Sequence, residues 1–331
     1  MVKFFHHKTQ YQIGIESTYG TEATTTTNVG TVRSIAPTRA WDVLEIQGVG
    51  DGREVQDYMR SRFNGGHEVV IEMHDFNILR HAVGPKAGAG TEGDRFTITE
   101  ADFTGISASA NITPFSAEIA SVSSADNVDT YTGNIINDFT LTFALGQAVF
   151  GRFNVIGQSV TSSTTASSYT SLTSQPFIMN SGTFKWGATP SQVVGIRTLT
   201  ITYDNRLFIT GDWGTPLIVI PETGKRVISW VLTTVMTDSI ATTLRDDFYG
   251  QANTPVTAPA DMVFDANNEI EVDLDEGSAT GNKDALIRLD HCIIESIAKP
   301  IDIGTEDLVL VTFTGRATTS KSDVFAEYWT N

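Results

Sequence analysis

Cysteine is almost absent. Cys292 stands alone among 331 residues, which excludes an intramolecular disulfide framework and any Cys-rich zinc site. Long apolar runs are missing too: no stretch approaches the ~18–20 residues that a bilayer-crossing helix needs, so no membrane insertion is expected. The opening MVKFFHHKTQ has neither a long apolar core nor a small-residue cleavage site, and a secretory leader is not expected. Basic residues are scarce, 22 Lys and Arg against 39 Asp and Glu, for a net charge of −17. The deficit runs along the whole chain, with 18 acids and 11 bases in residues 1–165 and 21 acids and 11 bases in residues 166–331. Tight nucleic-acid binding needs Lys and Arg on the phosphates and is excluded, although an acidic chain can surround nucleic acid as a repelling wall.

Signatures of chemistry are lacking as well. There is no G-x-S-x-G elbow, P-loop or dinucleotide fingerprint, and the glycines of Gly48–Glu54 are spaced wrongly for a phosphate cradle. His6 and His7 are adjacent and point apart on an extended chain, while His67, His74, His81 and His291 have no acid or Cys cluster at ligand spacing. Glu271–Gly277 is only a fragment of a calcium loop. Trp41, Trp186, Trp213, Trp230 and Trp329 suit core packing or subunit contacts better than a sugar platform, and no carboxylate pair is singled out for glycoside chemistry. No catalytic residue, metal or cofactor is expected, and Cys292, alternating with Ile294, reads as a buried hydrophobe.

What the chain does have is β-sheet patterning. Apolar residues make up 40% and the length allows about two domains. Phe139, Leu141, Phe143 and Leu145 alternate with polar residues across Asn137–Leu145. The same alternation gives Leu199, Ile201 and Tyr203 one face of Arg197–Asp204, Ile270, Val272 and Leu274 one face of Glu269–Asp275, and Val69, Ile71 and Met73 one face of Glu68–His74. Helical spacing occurs twice, over Asp75–Val83 and Asp238–Tyr249, each directly after a strand and each stopped by glycine. Element order then repeats. Strands at 31–46 and 67–74, the first helix, and strands near 94–100, 135–145 and 148–156 match strands at 194–204 and 225–236, the second helix, and strands near 269–275, 286–297 and 306–316. The pattern divides the chain into an N-terminal arm (1–30), a first unit (31–157), a Ser/Thr-rich linker or loop (158–175), a second unit (176–317) and a C-terminal arm (318–331).

Several segments in succession carry a resemblance: GIESTYGT (Gly14–Thr21), SIAPTRAWDVLEIQGVGDGRE (Ser34–Glu54), FNGGHEVVIEMHD, GNIINDFTLTFALGQAVFGRFNVIGQ (Gly133–Gln158), PFIMNSGTFKW (Pro176–Trp186) and VVGIRTLTITYDNRLFITGDWG (Val193–Gly214). Their order resembles the tail tube proteins (major tail proteins) of long-tailed bacteriophages and archaeal tailed viruses, over about Ile13 to Ala317. The resemblance implies a mainly β (α+β) fold: duplicated β-sandwich units, each with a flanking helix, whose inner sheets join a multi-subunit β-barrel. It implies a virion structural protein, assembled in the host cytoplasm, whose rings stack into the hollow, non-contractile tail tube that passes the genome during ejection. Two fused units imply trimeric, pseudo-sixfold rings. The implied partners are further copies of the chain, the tape measure protein in the lumen, tail terminator and tail-tip proteins, and double-stranded DNA in transit. A capsid decoration or fibre protein is the alternative, and would give no stacked ring.

An acidic lumen follows as an expectation, because acids facing a narrow channel repel phosphate within a Debye length of about 8 Å. The candidates are Glu68, Glu72, Asp138 and Asp204 with Glu269, Glu271, Asp273 and Asp275, all on the polar sides of alternating strands. Phe4 and Phe5 at one end, and Val324, Phe325, Tyr328 and Trp329 at the other, are candidate contacts of arms that dock on a neighbouring subunit. The segments 48–66 and 211–224 read as long loops suited to ring-to-ring contact.

Overall fold

The computed structural model describes residues 9–46, 57–91, 93–101, 112–121, 127–169, 172, 174–179, 182–208, 217, 222–235, 243–244, 247–248, 268–275, 283–298, 310–318 and 324–329. The first half of the chain supplies β1 (Thr9–Ile15), β2 (Thr31–Ile46), β3 (Asp57–Glu72), β4 (Lys86–Ala87), β5 (Phe96–Thr99), β6 (Phe115–Ser121), β7 (Asn127–Ala144), β8 (Phe150–Gly157) and β9 (Ser159–Ser163). The second supplies β10 (Thr183–Gly187), β11 (Ser191–Gln192), β12 (Ile196–Asp204), β13 (Leu207–Phe208), β14 (Glu222–Thr223) and β15 (Val227–Val235). It continues with β16 (Glu269–Asp275), β17 (Asp284–Leu289), β18 (Ile293–Ala298), β19 (Leu310–Ala317) and β20 (Val324–Trp329). The fold is mainly β and every described strand pair is antiparallel.

The main sheet has a path of eight strands in the order β2-β3-β8-β7-β12-β15-β19-β18. Alternation decides its faces. Phe139, Leu141 and Phe143 of β7 oppose Tyr203, Ile201 and Leu199 of β12, and all six are buried. Their neighbours Thr140, Thr142, Thr200 and Thr202 lie on the opposite, open face. The buried face is covered by two smaller layers. Over the first half, β1, β6, β9 and the start of β7 pair in the order β1-β6-β7-β9. Over the second half lies a sheet in the order β11-β10-β16-β17-β20-β5-β4. Rings join the layers: Trp186 meets Trp230 at 5.5 Å, and Phe325 meets Tyr203 at 5.5 Å and Phe139 at 6.0 Å. This is a β-sandwich arrangement, and among the described residues no sheet closes into a barrel.

One pairing scheme occurs twice. In the main sheet, β2-β3-β8-β7 is followed by β12-β15-β19-β18, so each half contributes its strands in the same order. In the covering layers, β1-β6-β7-β9 matches β10-β16-β17-β20. The strand in sequence register with β16 is therefore β6, not the stretch near 94–100 that order alone had suggested. Phe96–Thr99 instead pairs with β20 and ties the first half to the second.

Other expectations need correcting. Asp75–Val83 is not an α-helix; it holds a short 3-10 turn over Asn77–His81. Phe76, Ile78, Leu79, Ala82 and Val83 are all fully buried, whereas an amphipathic surface helix keeps one face wet. Of Asp238–Tyr249, Thr243, Leu244, Asp247 and Phe248 are helical and the remainder lies outside the described residues. Within the Ser/Thr-rich segment, Ser159–Ser163 is strand β9, and Ser167 donates from its backbone N–H (2.9 Å) and Oγ (2.7 Å) to Glu118, so this stretch is docked rather than a linker. Thr9–Ile15 and Val324–Trp329, expected in arms, are strands of the chain's own layers. Residues 57–66, expected in a loop, belong to β3.

Candidate functional site: two open edges and a hydroxyl-lined face

The open face of the main sheet is built by the polar positions of its strands, and most of them are Thr or Ser. Hydroxyls meet across strands: Thr140 and Thr202 (3.3 Å), Thr233 and Thr312 (3.4 Å), and Ser296 and Thr314 (2.5 Å). A β-branched hydroxyl residue suits such a place because it fits the pleat and still faces water. Charges on this face are paired. Arg152 donates to Glu68 at 2.5 Å, Arg316 meets Glu295 at 2.9 Å, and Arg33 donates through Nε to Glu72 at 2.8 Å. Hydrogen bonding to Glu68 and its charge hold the Arg152 pKa above the usual guanidinium value. Asp138 and Asp204 oppose each other in register; Asp138 accepts from Asn137 (2.8 Å) and Asn154 (3.1 Å), and Asp204 accepts the Arg206 N–H (2.8 Å).

The remaining predicted lumen acids are elsewhere. Glu269, Glu271, Asp273 and Asp275 belong to β16 in the covering sheet. Trp186 faces the main sheet, so its neighbour Lys185 and the acids beside it face away. There they form a ladder: Lys185 meets Glu271 (3.3 Å) and Asp273 (3.4 Å), and Arg288 bridges Glu271 (3.3 Å) and Glu327 (2.9 Å). Glu68, Glu72, Asp138 and Asp204 thus occupy one outer face of the sandwich and Glu269, Glu271 and Asp273 the other. Alternation separated core-facing from outward positions, although the outward Glu72 is itself buried, and two sheets packed back to back have two outer faces. All eight acids cannot line one channel wall of a single chain. Asp275 is described only as the last residue of β16, opposite Asp284.

The apolar candidates of the C-terminal segment are core residues of the same chain. Phe325 and Tyr328 are buried, Trp329 nearly so, and Val324 opposes Thr99. Phe4 and Phe5 lie outside the described residues. Cys292 is buried and donates to the Leu289 carbonyl at 3.4 Å, and burial pushes its thiol pKa up, away from any nucleophile.

Two further features distinguish the ends of the main sheet. Beyond Gly65, where β8 stops, β2 and β3 continue as a two-stranded ribbon. It exposes Trp41, Val43, Tyr58 and Met59, with Trp41 against Phe63 (5.3 Å) and Arg60 over the Trp41 ring (5.7 Å). At the opposite end, where β7 finishes and β12 starts, Phe143, Met179, Phe184, Val193 and Ile196 line an open pocket of about 340 Å3. Sequence reading missed the pocket and took the β3 part of the ribbon for a loop within 48–66, and it missed a dipeptide. Gly151-Arg152 in β8 and Gly315-Arg316 in β19 hold equivalent places: Gly151 opposes Ile71 and Leu141, and Gly315 opposes Trp230 and Ile294. Two residues are too short a signal to stand out in 331 without the pairing scheme.

The sheet has eight strands on its path, so its two edges, β2 and β18, run in opposite directions. Among the described residues nothing pairs with the outer side of either, and an open edge is what a further strand pairs with. Among the described residues, no helix is long and apolar enough to cross a membrane, and no three His, Cys, Asp or Glu residues are grouped to hold a metal ion. No curated protein matches the chain significantly. The family model for phage tail tube protein matches residues 7–317, a span that takes in both open edges and all the described strands except β20. The chain therefore belongs to the phage tail tube protein family and is a structural protein of the virion tail.

Proposed function

We propose that copies of this chain close into rings through β18 of one and β2 of the next, and that the rings stack into a hollow tube through which the viral genome passes. The observation that carries this is the junction inside the chain. There β7, the last strand of the first four, pairs with β12, the first strand of the second four. β18 and β2 are the corresponding last and first strands, and their directions suit the same antiparallel contact. Repeating one contact around an axis closes a ring and removes every edge. Two units per chain, 31–157 and 176–317, then make a trimer pseudo-sixfold. At the eight strands per chain on this path, three copies form a 24-stranded barrel. Its backbone would be roughly 50 Å across, wide enough for a duplex.

In such a ring the open face looks into the lumen and the charge ladder of β16 looks outward. The lumen wall is then mostly hydroxyl, with Glu68, Glu72, Asp138 and Asp204 on it and Arg152 and Arg316 held by acids. Phosphate meets no strongly attractive patch, so DNA and the tape measure protein slide without sticking. Head-to-tail stacking needs different features at the two ends of a ring. The apolar ribbon and the apolar pocket are such a pair, and the ribbon of one ring seats against the pocket end of the next. Tail terminator and tip proteins cap the stack, in a non-contractile virion tail assembled in the host cytoplasm. The role is structural rather than catalytic.

Cryo-electron microscopy of the purified chain, with symmetry determined rather than imposed, tests this. Stacked hollow rings of three chains are expected. Six chains per ring would keep the tube but put the second unit outside the barrel. A chain that stays monomeric at high concentration, even with tail extract added, would overturn the ring.

A further inference from the structure

We propose that ring closure uses one register, with Ile293 of one copy opposite Ser34 of the next and Ser296 opposite Thr31, and with the bulged residues Glu295 and Arg33 diagonal to each other across the Val32–Ile294 level. This rests on the ring reading above and specifies its contact.

The internal junction supplies the template, where Thr140 opposes Thr202 and Thr142 opposes Thr200. On one side of it, Thr140 also opposes Arg152 and Thr142 opposes Phe150. In β18, Ile293 opposes Arg316 and Ser296 opposes Thr314. Because Gly151-Arg152 and Gly315-Arg316 are equivalent, Ile293 stands where Thr140 does, and Ser296 where Thr142 does. On the other side, Thr202 is two strands from Arg316 through Ser229, and Thr200 is two strands from Thr314 through Val231. Ser34 is likewise two strands from Arg152 through Val70, and Thr31 two strands from Phe150 through Glu72. Exchanging equivalents gives Ile293 with Ser34 and Ser296 with Thr31. The core side agrees: Ile294 falls beside Val32, as Leu141 lies beside Ile201, and both Ile294 and Val32 are half-buried apolar residues at an edge. Pro37, which has no N–H to donate, lies past this stretch.

Both edges slip register next to the Val32–Ile294 level, on opposite sides of it. In β2 the shift falls between Val32 and Ser34, at Arg33; in β18 it falls between Ile294 and Ser296, at Glu295. The two residues carry opposite charges and their side chains are 58% and 41% exposed. Arg33 is held by Glu72 and Glu295 by Arg316. Pairing the copies places Glu72, Arg33, Glu295 and Arg316 on four consecutive strands with alternating sign. The internal junction runs through this level with no register shift and no charged residue. A contact between copies can thus be discriminated by charge where a contact within the chain has no need to be.

Cross-linking tests the register. Ser34→Cys and Ile293→Cys are combined in the full chain with Cys292→Ala, and assembled particles are oxidised. Within one copy the two positions lie on opposite edges, roughly 34 Å apart, so any bond joins two copies. The expected result is a covalent ladder that stops at the ring's copy number, with Ser34→Cys/Ser296→Cys giving roughly tenfold less. Rings that form without the Ser34–Ile293 bond, or that favour the Ser34–Ser296 bond, overturn the register and leave the ring standing. If no rings form even from the unmodified chain, the ring reading falls and takes the register with it. Glu295→Gln gives a second route free of new thiols. It should raise the concentration at which rings dissociate about two- to fivefold at low salt, and the difference should vanish in molar salt. An unchanged dissociation concentration at low salt overturns the Arg33–Glu295 contact.

Discussion

In the first half β2 and β3 run 16 residues each, and β7 crosses from the covering layer into the main sheet unbroken for 18 residues. In the second half β12 and β15 have nine residues each, and the crossing is split into β17 and β18. Yet both crossings turn the corner at one residue in the left-handed region, Gly133 (φ 64°) in one and His291 (φ 49°) in the other. Glycine has no Cβ to clash there, and the strand runs on; histidine takes the same conformation at a cost, and the strand stops. The cores differ too. Tyr11, His67 and Tyr131 fill one, with Tyr11 Oη 2.8 Å from His67 Nε2, whereas Trp186 and Trp230 fill the other. What the halves share is the order of pairing and the bend. What they do not share, among the described residues, is an unbroken hairpin: β2 and β3 run on as the ribbon, whereas past β12 and β15 the pairing resumes as the short β13 and β14.

The Gly-Arg pair offers the strongest way to break the equivalence. A Cβ at Gly315 would run into the Ile293 carbonyl oxygen and the Trp230 indole. One obstacle is backbone and the other a packed ring, so neither can yield cheaply. A Cβ at Gly151 would meet the ring edge of Phe153 and the Met73 sulfur, both side-chain atoms that can shift. Gly315→Ala should cost about 3 kcal/mol or more, and Gly151→Ala about 1–2 kcal/mol, as read from urea midpoints. Equal costs would mean that the two strands are packed alike, and that the difference in core composition has no mechanical consequence.

That difference was only partly legible in the sequence. Alternation located strands well, and Glu269–Asp275 is a strand at the very bounds expected. It also separated Val69, Ile71 and Met73 as core. It failed where the answer depended on distant partners. A wet strand face does not say which outer surface of a sandwich it belongs to, and so the β16 acids were grouped with Glu68 and Asp138. Val324, Phe325, Tyr328 and Trp329 read as an arm because terminal position carried more weight than their apolar pattern, yet β20 is a strand of the core. Gly65 and Gly66 read as loop and sit inside β3. The open edges were out of reach altogether, because an edge is a property of strand order, and the order β2-β3-β8-β7 follows from long-range pairing.

Acid sharpens the comparison next, because only the first half buries its histidines. His67 and His81 are fully buried, and burial holds both near a pKa of about 3, while His291 of the second half is exposed. In the unfolded chain each titrates near 6.5. Between those values the unfolded state binds protons that the fold refuses, so stability falls as pH drops from about 6.5 towards 3. Going from neutrality to about pH 5.5 should cost roughly 1.4 kcal/mol per histidine. Urea unfolding at the two pH values measures the sum. His67→Gln should remove less than half of the slope, because His81 and the buried His74, which burial also holds below its usual value, supply the rest, and amide exchange should quicken in the first half before the second. A slope unchanged by the substitution would move the acid sensitivity to the carboxylates.

The hydroxyl contacts supply the smallest effect, and they ask what joins the halves. Thr140 and Thr202 meet across the junction between them, and Thr233 and Thr312 meet within the second half. Valine keeps the branched shape of threonine and loses a hydroxyl that faces the open side, where water can replace its partner. Thr140→Val and Thr233→Val should therefore each change stability by no more than about 0.5 kcal/mol. On that outcome the junction is held by its backbone ladder and by the buried row of Phe139, Leu141 and Phe143 against Tyr203, Ile201 and Leu199, as any pair of adjacent strands in the sheet is. A cost near 1.5 kcal/mol at Thr140 alone would mean that the junction is held differently from the strands on either side. It would then be a poor template for the contact between copies, whose edges add the bulged Arg33 and Glu295 to the positions that answer to the junction's threonines.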